Sequence, residues 1–148
     1  MDMMKFVSIP YYALDRATND SDFDVIAITL GVINIPTLIT VKSTHCDSIA
    51  NFSVIDNIIR LYMDNLNTFI HGGEVHIPYI KAKKDQDLII RNARMFVLCH
   101  ELVHALQYEQ GRLPKCPQLF FSYEEYLNCS FEKEANLRAL EYCKMYGD

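Results

Sequence analysis

The pentapeptide His100-Glu101-Leu102-Val103-His104 constrains this chain more than any other feature. It lies in a run over 87–110 that reads as a long helix and ends at Gly111, a residue suited to the left-handed turn that closes helices. Side chains four apart on a helix stack on one face, so both imidazoles can reach a single metal ion. Glu101, rotated by about 100° from His100, borders the same place. A fold built on this helix has to bring another element across its histidines.

The residue types define the chemistry. A hydrolytic zinc ion takes three protein ligands and keeps a fourth position for a water, whose pKa it lowers toward about 7. His100 and His104 supply two ligands, and Glu101 is the general base that takes the water's proton and hands it to the leaving amine. The third ligand must come from elsewhere. Cys99 points off the histidine face, and His45, His71 and His76 lie upstream with no spacing that links them to the site. A last helix, expected over 130–145, carries Glu132-Lys133-Glu134-Ala135-Asn136. Its small Ala135 and Ala139 permit close packing on the histidine helix, from which Glu134 could reach the metal, with Glu132 the competing choice.

The rest of the chain reads as α+β. Residues 6–12 suit a short edge strand, and the polar and acidic residues of 20–24 precede an apolar run that is either helix or buried strand. Pro36 interrupts that run, and the β-branched residues of 37–41 follow as a strand. Ile55, Ile58, Ile59, Tyr62, Leu66 and Phe69 recur with helical spacing, which predicts a helix over 53–71, capped by Ser53 and ended by Gly72-Gly73. Residues 74–80 alternate polar and apolar around Pro78, the pattern of an edge strand. Residues 111–121 read as a loop, and Ser122-Tyr123-Glu124-Glu125 as a capping box that opens another helical piece. The expected architecture has three main helices and a small, twisted, mainly N-terminal sheet, whose edge strand borders a cleft along the histidine helix.

Bulk properties narrow the partners. A chain of 148 residues with half of them apolar suits one domain spanning 1–148. A net charge of -5 opposes binding to nucleic acid, which depends on cationic neutralisation of phosphates, and favours a protein or peptide partner. Lys81, Lys83 and Lys84 are followed by Asp85 and Asp87 and read as a solvated loop. The five cysteines form no CxxC pair, which fits reduced thiols in a cytoplasmic protein, and Cys116 is read as an uncommitted thiol. Residues 25–41 are apolar but short and interrupted by Gly31, Asn34 and Pro36, so buried core is the better reading than a membrane span. No secretory signal is visible at the N-terminus.

His100-Glu101-Leu102-Val103-His104 followed by Glu132-x-Glu134-Ala135-Asn136-x-x-Ala139 resembles the glutamate-ligand zincins (gluzincins), and more narrowly the small ImmA/IrrE class of metallopeptidases. The chain departs from the usual pattern at Val103, where the class often has glycine, and at Arg138, where larger gluzincins often have aspartate. The resemblance implies a zincin-like fold and a zinc-dependent peptidase of narrow, regulatory specificity. It also implies that the glutamate immediately before Ala-Asn, Glu134, is the third ligand, and that the edge strand over 74–79 pairs with an extended peptide. Tyr123, Tyr126 and His76 are candidates for stabilising an oxyanion, although packing explains the tyrosines as well. The alternative reading is a non-catalytic, metal-bound interaction module on the same scaffold.

Overall fold

The computed structural model describes residues 21–43, 47–113 and 123–148. In chain order these form α1 (Ser21–Leu30), β1 (Thr37–Val41), β2 (Ala50–Ser53), β3 (Ile58–Tyr62), α2 (Met63–Gly72), α3 (Lys83–Arg91), α4 (Ala93–Glu109), α5 (Tyr123–Asn128) and α6 (Ser130–Tyr146). The architecture is mixed α+β, with six helices and one three-stranded sheet among the described residues. The strand expected over 6–12, His45, Cys46, Cys116, the loop from Pro114 onward and Ser122 lie outside them. No helix among the described residues is long and apolar enough to cross a membrane.

The sheet has the order β1-β3-β2, with β1 parallel and β2 antiparallel to the central β3. Its register places Leu38, Ile59 and Phe52 in one row and Thr40, Leu61 and Ala50 in the next, all on one face because side chains two apart on a strand share a side. Ile59 and Leu61 are fully buried there, and Phe52 reaches the ring of Tyr108 at 6.4 Å between centroids. On the opposite face Val41 and Tyr62 form a small separate cluster, and Asn51 donates to the Tyr62 hydroxyl at 2.9 Å.

This sheet corrects the helix expected over 53–71. Residues 54–57 turn, with Asn57 in the left-handed region at φ 54°, and 58–62 pair between two strands; the helix begins only at Met63. The apolar spacing of Ile58, Ile59 and Tyr62 fits a helix, but the ladder to β1 and β2 buries Ile59 and Leu61 more completely. The predicted strand over 37–41 is present as β1, and the run after residue 20 is helical as α1.

The helix expected over 87–110 is two helices. Asn92, with φ -122° and ψ 38°, leaves the helical region, and its side chain donates to Leu88 O and accepts from Asp148 N, both at 2.9 Å. Lys83, read above as part of a loop, starts α3 and pairs with Asp87 one turn on at 2.8 Å. Helix α4 is buried almost all round, the sign of a central helix, and packs against α6, α1 and β2. It ends in a Schellman motif: Gly111 at φ 71° donates to Tyr108 O at 3.0 Å, and Arg112 N donates to Gln107 O at 2.9 Å.

The edge strand expected over 74–80 is not a strand. Pro78 offers no backbone N–H for a ladder, and Ile80 N turns back to Ile77 O at 3.0 Å. The sheet edge beside α4 is β2, reached through residues 47–49. Asn65 fastens this approach by donating to Ser48 O at 2.6 Å. A cleft of about 520 Å³ lies along α4, lined on one side by Ser48, Ile49 and Ala50 and on another by Glu74, Val75 and Ile77.

Candidate metal centre

His100 and His104 sit one turn apart on α4, and their rings meet edge to face with centroids 4.8 Å apart. The two Nε2 atoms are 3.2 Å from one another. Helix α6 crosses them with the buried stripe Glu132, Ala135, Asn136, Ala139 and Cys143, whose three- and four-residue spacing forms one face. Ala135 and Ala139 are fully buried, and such small side chains allow the two helices to approach closely. Glu132 then reaches both imidazoles, with Oε1 3.0 Å from His100 Nε2 and Oε2 2.9 Å from His104 Nε2.

The third ligand favoured from sequence is therefore corrected: Glu132 faces the histidines and Glu134 does not. Glu134 points off this stripe, where Arg112 clamps it through Nη1 to Oε1 at 2.8 Å and Nη2 to Oε2 at 3.1 Å. Arg138, one turn on, adds a longer pair at 3.6 Å. The Arg112 guanidinium hydrogen-bonded to it holds the Glu134 carboxyl below its ordinary pKa.

Each imidazole is oriented by a side-chain amide. His100 Nδ1 lies 2.8 Å from Asn136 Oδ1, while Asn136 Nδ2 donates to the Tyr79 hydroxyl at 2.9 Å and that hydroxyl donates to Leu127 O at 2.9 Å. His104 Nδ1 lies 2.8 Å from Gln107 Oε1, while Gln107 Nε2 donates to Phe131 O at 3.1 Å and Glu134 Oε1 at 3.0 Å. Since each amide nitrogen already faces acceptors, each amide oxygen must receive an N–H from its imidazole. Both Nε2 atoms are thereby turned toward Glu132, the tautomer in which a neutral imidazole binds a metal through Nε2.

The electrostatics are those of a carboxylate–imidazole cluster out of water. Burial opposes charge on Glu132, but its bonds to His100 and His104 outweigh burial and hold its pKa well below the carboxylate range. Burial likewise opposes charge on His104, yet the Glu132 hydrogen bond and the charges of Glu101 and Glu132 push its pKa up to about 9. Glu101, only 8% exposed, is pushed the other way from Glu132: burial raises its pKa, against the lowering effect of the two histidines. Its Oε2 lies 3.7 Å from His100 Nε2.

These donors fit a divalent metal ion. Two ligand atoms on one tetrahedral zinc, each about 2.0–2.1 Å from it, stand roughly 3.3 Å apart, close to the 3.2 Å and 2.9–3.0 Å separations here. Among the described residues His100, His104 and Glu132 form the one group of three or more His, Cys, Asp or Glu side chains with ligand atoms all within 4.8 Å of one another. Glu132 Oε1 is also buried, with the His100 Nε2 approach at 3.0 Å in place of a well-formed hydrogen bond, a setting that a cation would satisfy.

The other sequence candidates fall around this centre. His76 lines the cleft on its exposed rim and pairs with Glu74 at 3.0 Å; Tyr126 also lines it. His71 is exposed at the end of α2. Cys99 is buried in the core, and burial pushes its thiol up to about 12, which keeps it protonated at neutral pH. Sequence reasoning missed Gln107, Arg112 and Tyr79. The available signal for Gln107 was a polar residue three positions after His104, on the same face of an otherwise apolar helix. Comparison with family models, with curated proteins and with solved structures yields no match to this chain.

Proposed function

We propose that the protein is a cytoplasmic zinc-dependent peptidase of the gluzincin type, with His100, His104 and Glu132 as ligands and Glu101 as general base. The observation that carries this reading is the convergence of two Nε2 atoms and one carboxylate beside a second, buried carboxyl at the wall of a cleft. A bound zinc ion would supply Lewis acidity and acidify a water.

The chain's own residues supply the rest. Glu101, beside His100 Nε2 and at the cleft wall, is placed to take a proton and release it to a leaving amine. Phe69, Val75, Ile77, Phe96 and Val97 give the cleft an apolar wall that accepts a bulky apolar side chain. Residues 47–50, leading into the sheet edge β2, offer an extended peptide a main chain to lie against. His76 and Tyr126 face the same cleft and are the groups best placed to reach an oxyanion.

The test is cleavage of a mixed peptide library by the zinc-loaded wild type beside Glu101→Gln, read by mass spectrometry of new termini. We expect cuts next to apolar residues with the wild type and none with Glu101→Gln, which should retain its zinc. A Glu101→Gln protein that cleaves normally would remove Glu101 from the mechanism. A zinc-loaded wild type that binds peptides in the cleft and cuts none would establish the interaction module instead.

A further inference from the structure

We infer that Gln107 is a positioning residue for the metal centre, locked by the Glu134–Arg112 ion pair, and that this relay holds His104 with Nε2 directed at the metal. The inference rests on the metal reading above and adds a role for three residues outside the ligand set.

The chain of contacts is continuous. Arg112 reaches Glu134 through two nitrogens at 2.8 and 3.1 Å, Glu134 Oε1 accepts from Gln107 Nε2 at 3.0 Å, and Gln107 Oε1 meets His104 Nδ1 at 2.8 Å. Gln107 is fully buried, so neither end of its amide has bulk water as an alternative partner. With Phe131 O and Glu134 Oε1 both acceptors, a flipped amide would set oxygen against oxygen on one side and N–H against N–H on the other. The relay therefore fixes the amide, and the amide fixes the ring.

Local structure explains why Arg112 is available. The Schellman turn at Gly111 bonds Arg112 N back to Gln107 O at 2.9 Å, so the guanidinium and the glutamine belong to one closed turn at the end of α4. Glu134 comes from the first turns of α6, two residues after the ligand Glu132. One short segment of α6 thus supplies a ligand to the metal with one glutamate and orients a ligand of α4 with the next. Gln107 itself is neutral, so its bond directs the ring without adding a second anion to the site.

The experiment measures zinc affinity by competition with a chromogenic chelator, and the visible spectrum of the cobalt-loaded protein, for the wild type, Gln107→Met, Glu134→Met and Glu134→Gln. Circular dichroism of the metal-free proteins monitors folding. Gln107→Met keeps the volume but neither donor nor acceptor, and we expect zinc to bind about 10–100-fold more weakly, with an altered cobalt spectrum. Glu134→Met should weaken binding less, and Glu134→Gln, which keeps an oxygen for Gln107 Nε2 but loses the ion pair with Arg112, should fall between Glu134→Met and the wild type. If Gln107→Met does not fold, the contrast between Glu134→Met and Glu134→Gln decides the matter, because both sit at a half-buried position. Wild-type affinity and spectrum in Gln107→Met, or equal behaviour of the two Glu134 variants, would overturn the relay alone. A wild type that takes up neither zinc nor cobalt would overturn the metal reading and the relay with it.

Discussion

At the scale of single residues, the centre is decided by which carboxylate of α6 faces α4. Glu132 lies 2.9–3.0 Å from both imidazoles, whereas Glu134 is committed to Arg112 and Gln107. Glu132→Ala should therefore abolish measurable zinc uptake, while Glu134→Ala should keep it, with a smaller loss than the roughly 10–100-fold expected of Gln107→Met. Equilibrium dialysis against a zinc buffer checks this, and the reverse order would return the ligand to Glu134. The distinction was legible from the sequence before any coordinates. At about 100° per residue, Glu132 lies about 20° from Ala139 and 40° from Asn136, whereas Glu134 lies about 140° and 160° away. Any argument that packs the alanines onto the histidine helix thus also selects Glu132. The position immediately before Ala-Asn favours Glu134 instead, the glutamate that the structure turns toward Arg112. His100, Glu101 and His104 could be read directly because their spacing lies within one helix.

At the scale of elements, what could not be read was pairing between distant segments. Residues 58–62 satisfy helical and extended spacing alike, and only the partners 37–41 and 50–53 make them a strand. The same limit explains the edge: the alternation over 74–80 is real, but Pro78 and the turn at Ile80 leave it unpaired, and β2 takes the place beside α4. Two predictions belong here. The α4–α6 contact depends on small residues, so Ala139→Leu should cost about 1–3 kcal/mol by overpacking and should weaken zinc binding as well, by displacing Glu132. Thermal melts and zinc titration read the two effects, and a variant with unchanged zinc affinity would uncouple the packing from the site. The β2–β3 turn carries the second. Burial opposes charge on Asp56, but hydrogen bonds from Ser53 and Arg60 hold its pKa below the ordinary 3.8. A depressed carboxyl stabilises the fold above its unfolded value and loses that contribution as the pH falls through its folded value. The pair with Arg60 is exposed, so Asp56→Asn should lower Tm by no more than about 4 °C at pH 7, with the difference closing below pH 3.8. A gap that widens in acid would contradict the assignment.

At the scale of the molecule, the candidate ligands join two helices that the chain separates: His100 and His104 come from α4 and Glu132 from α6, with residues 110–129 between them. A metal ion bound across them resists the separation of the central helix from the helix that covers it, and so acts on the whole fold. Without an ion, Glu132 lies 2.9–3.0 Å from both imidazole Nε2 atoms, a contact that keeps the site assembled. Metal binding needs those nitrogens free, so protons and zinc compete for the same atoms. Free zinc at 100 times its dissociation constant should stabilise the fold by about 2.7 kcal/mol, a rise in Tm of about 5–10 °C for a chain of this length. At a fixed free zinc concentration the rise should be smaller at pH 6 than at pH 8, because the imidazole protons must be displaced. Glu132→Ala should show no rise at either pH, and a chelator should return the wild type to its metal-free melting point. A zinc-induced rise that survives Glu132→Ala would place the stabilising ion elsewhere and leave the α4–α6 cluster as an ion-paired seam with no metal in it.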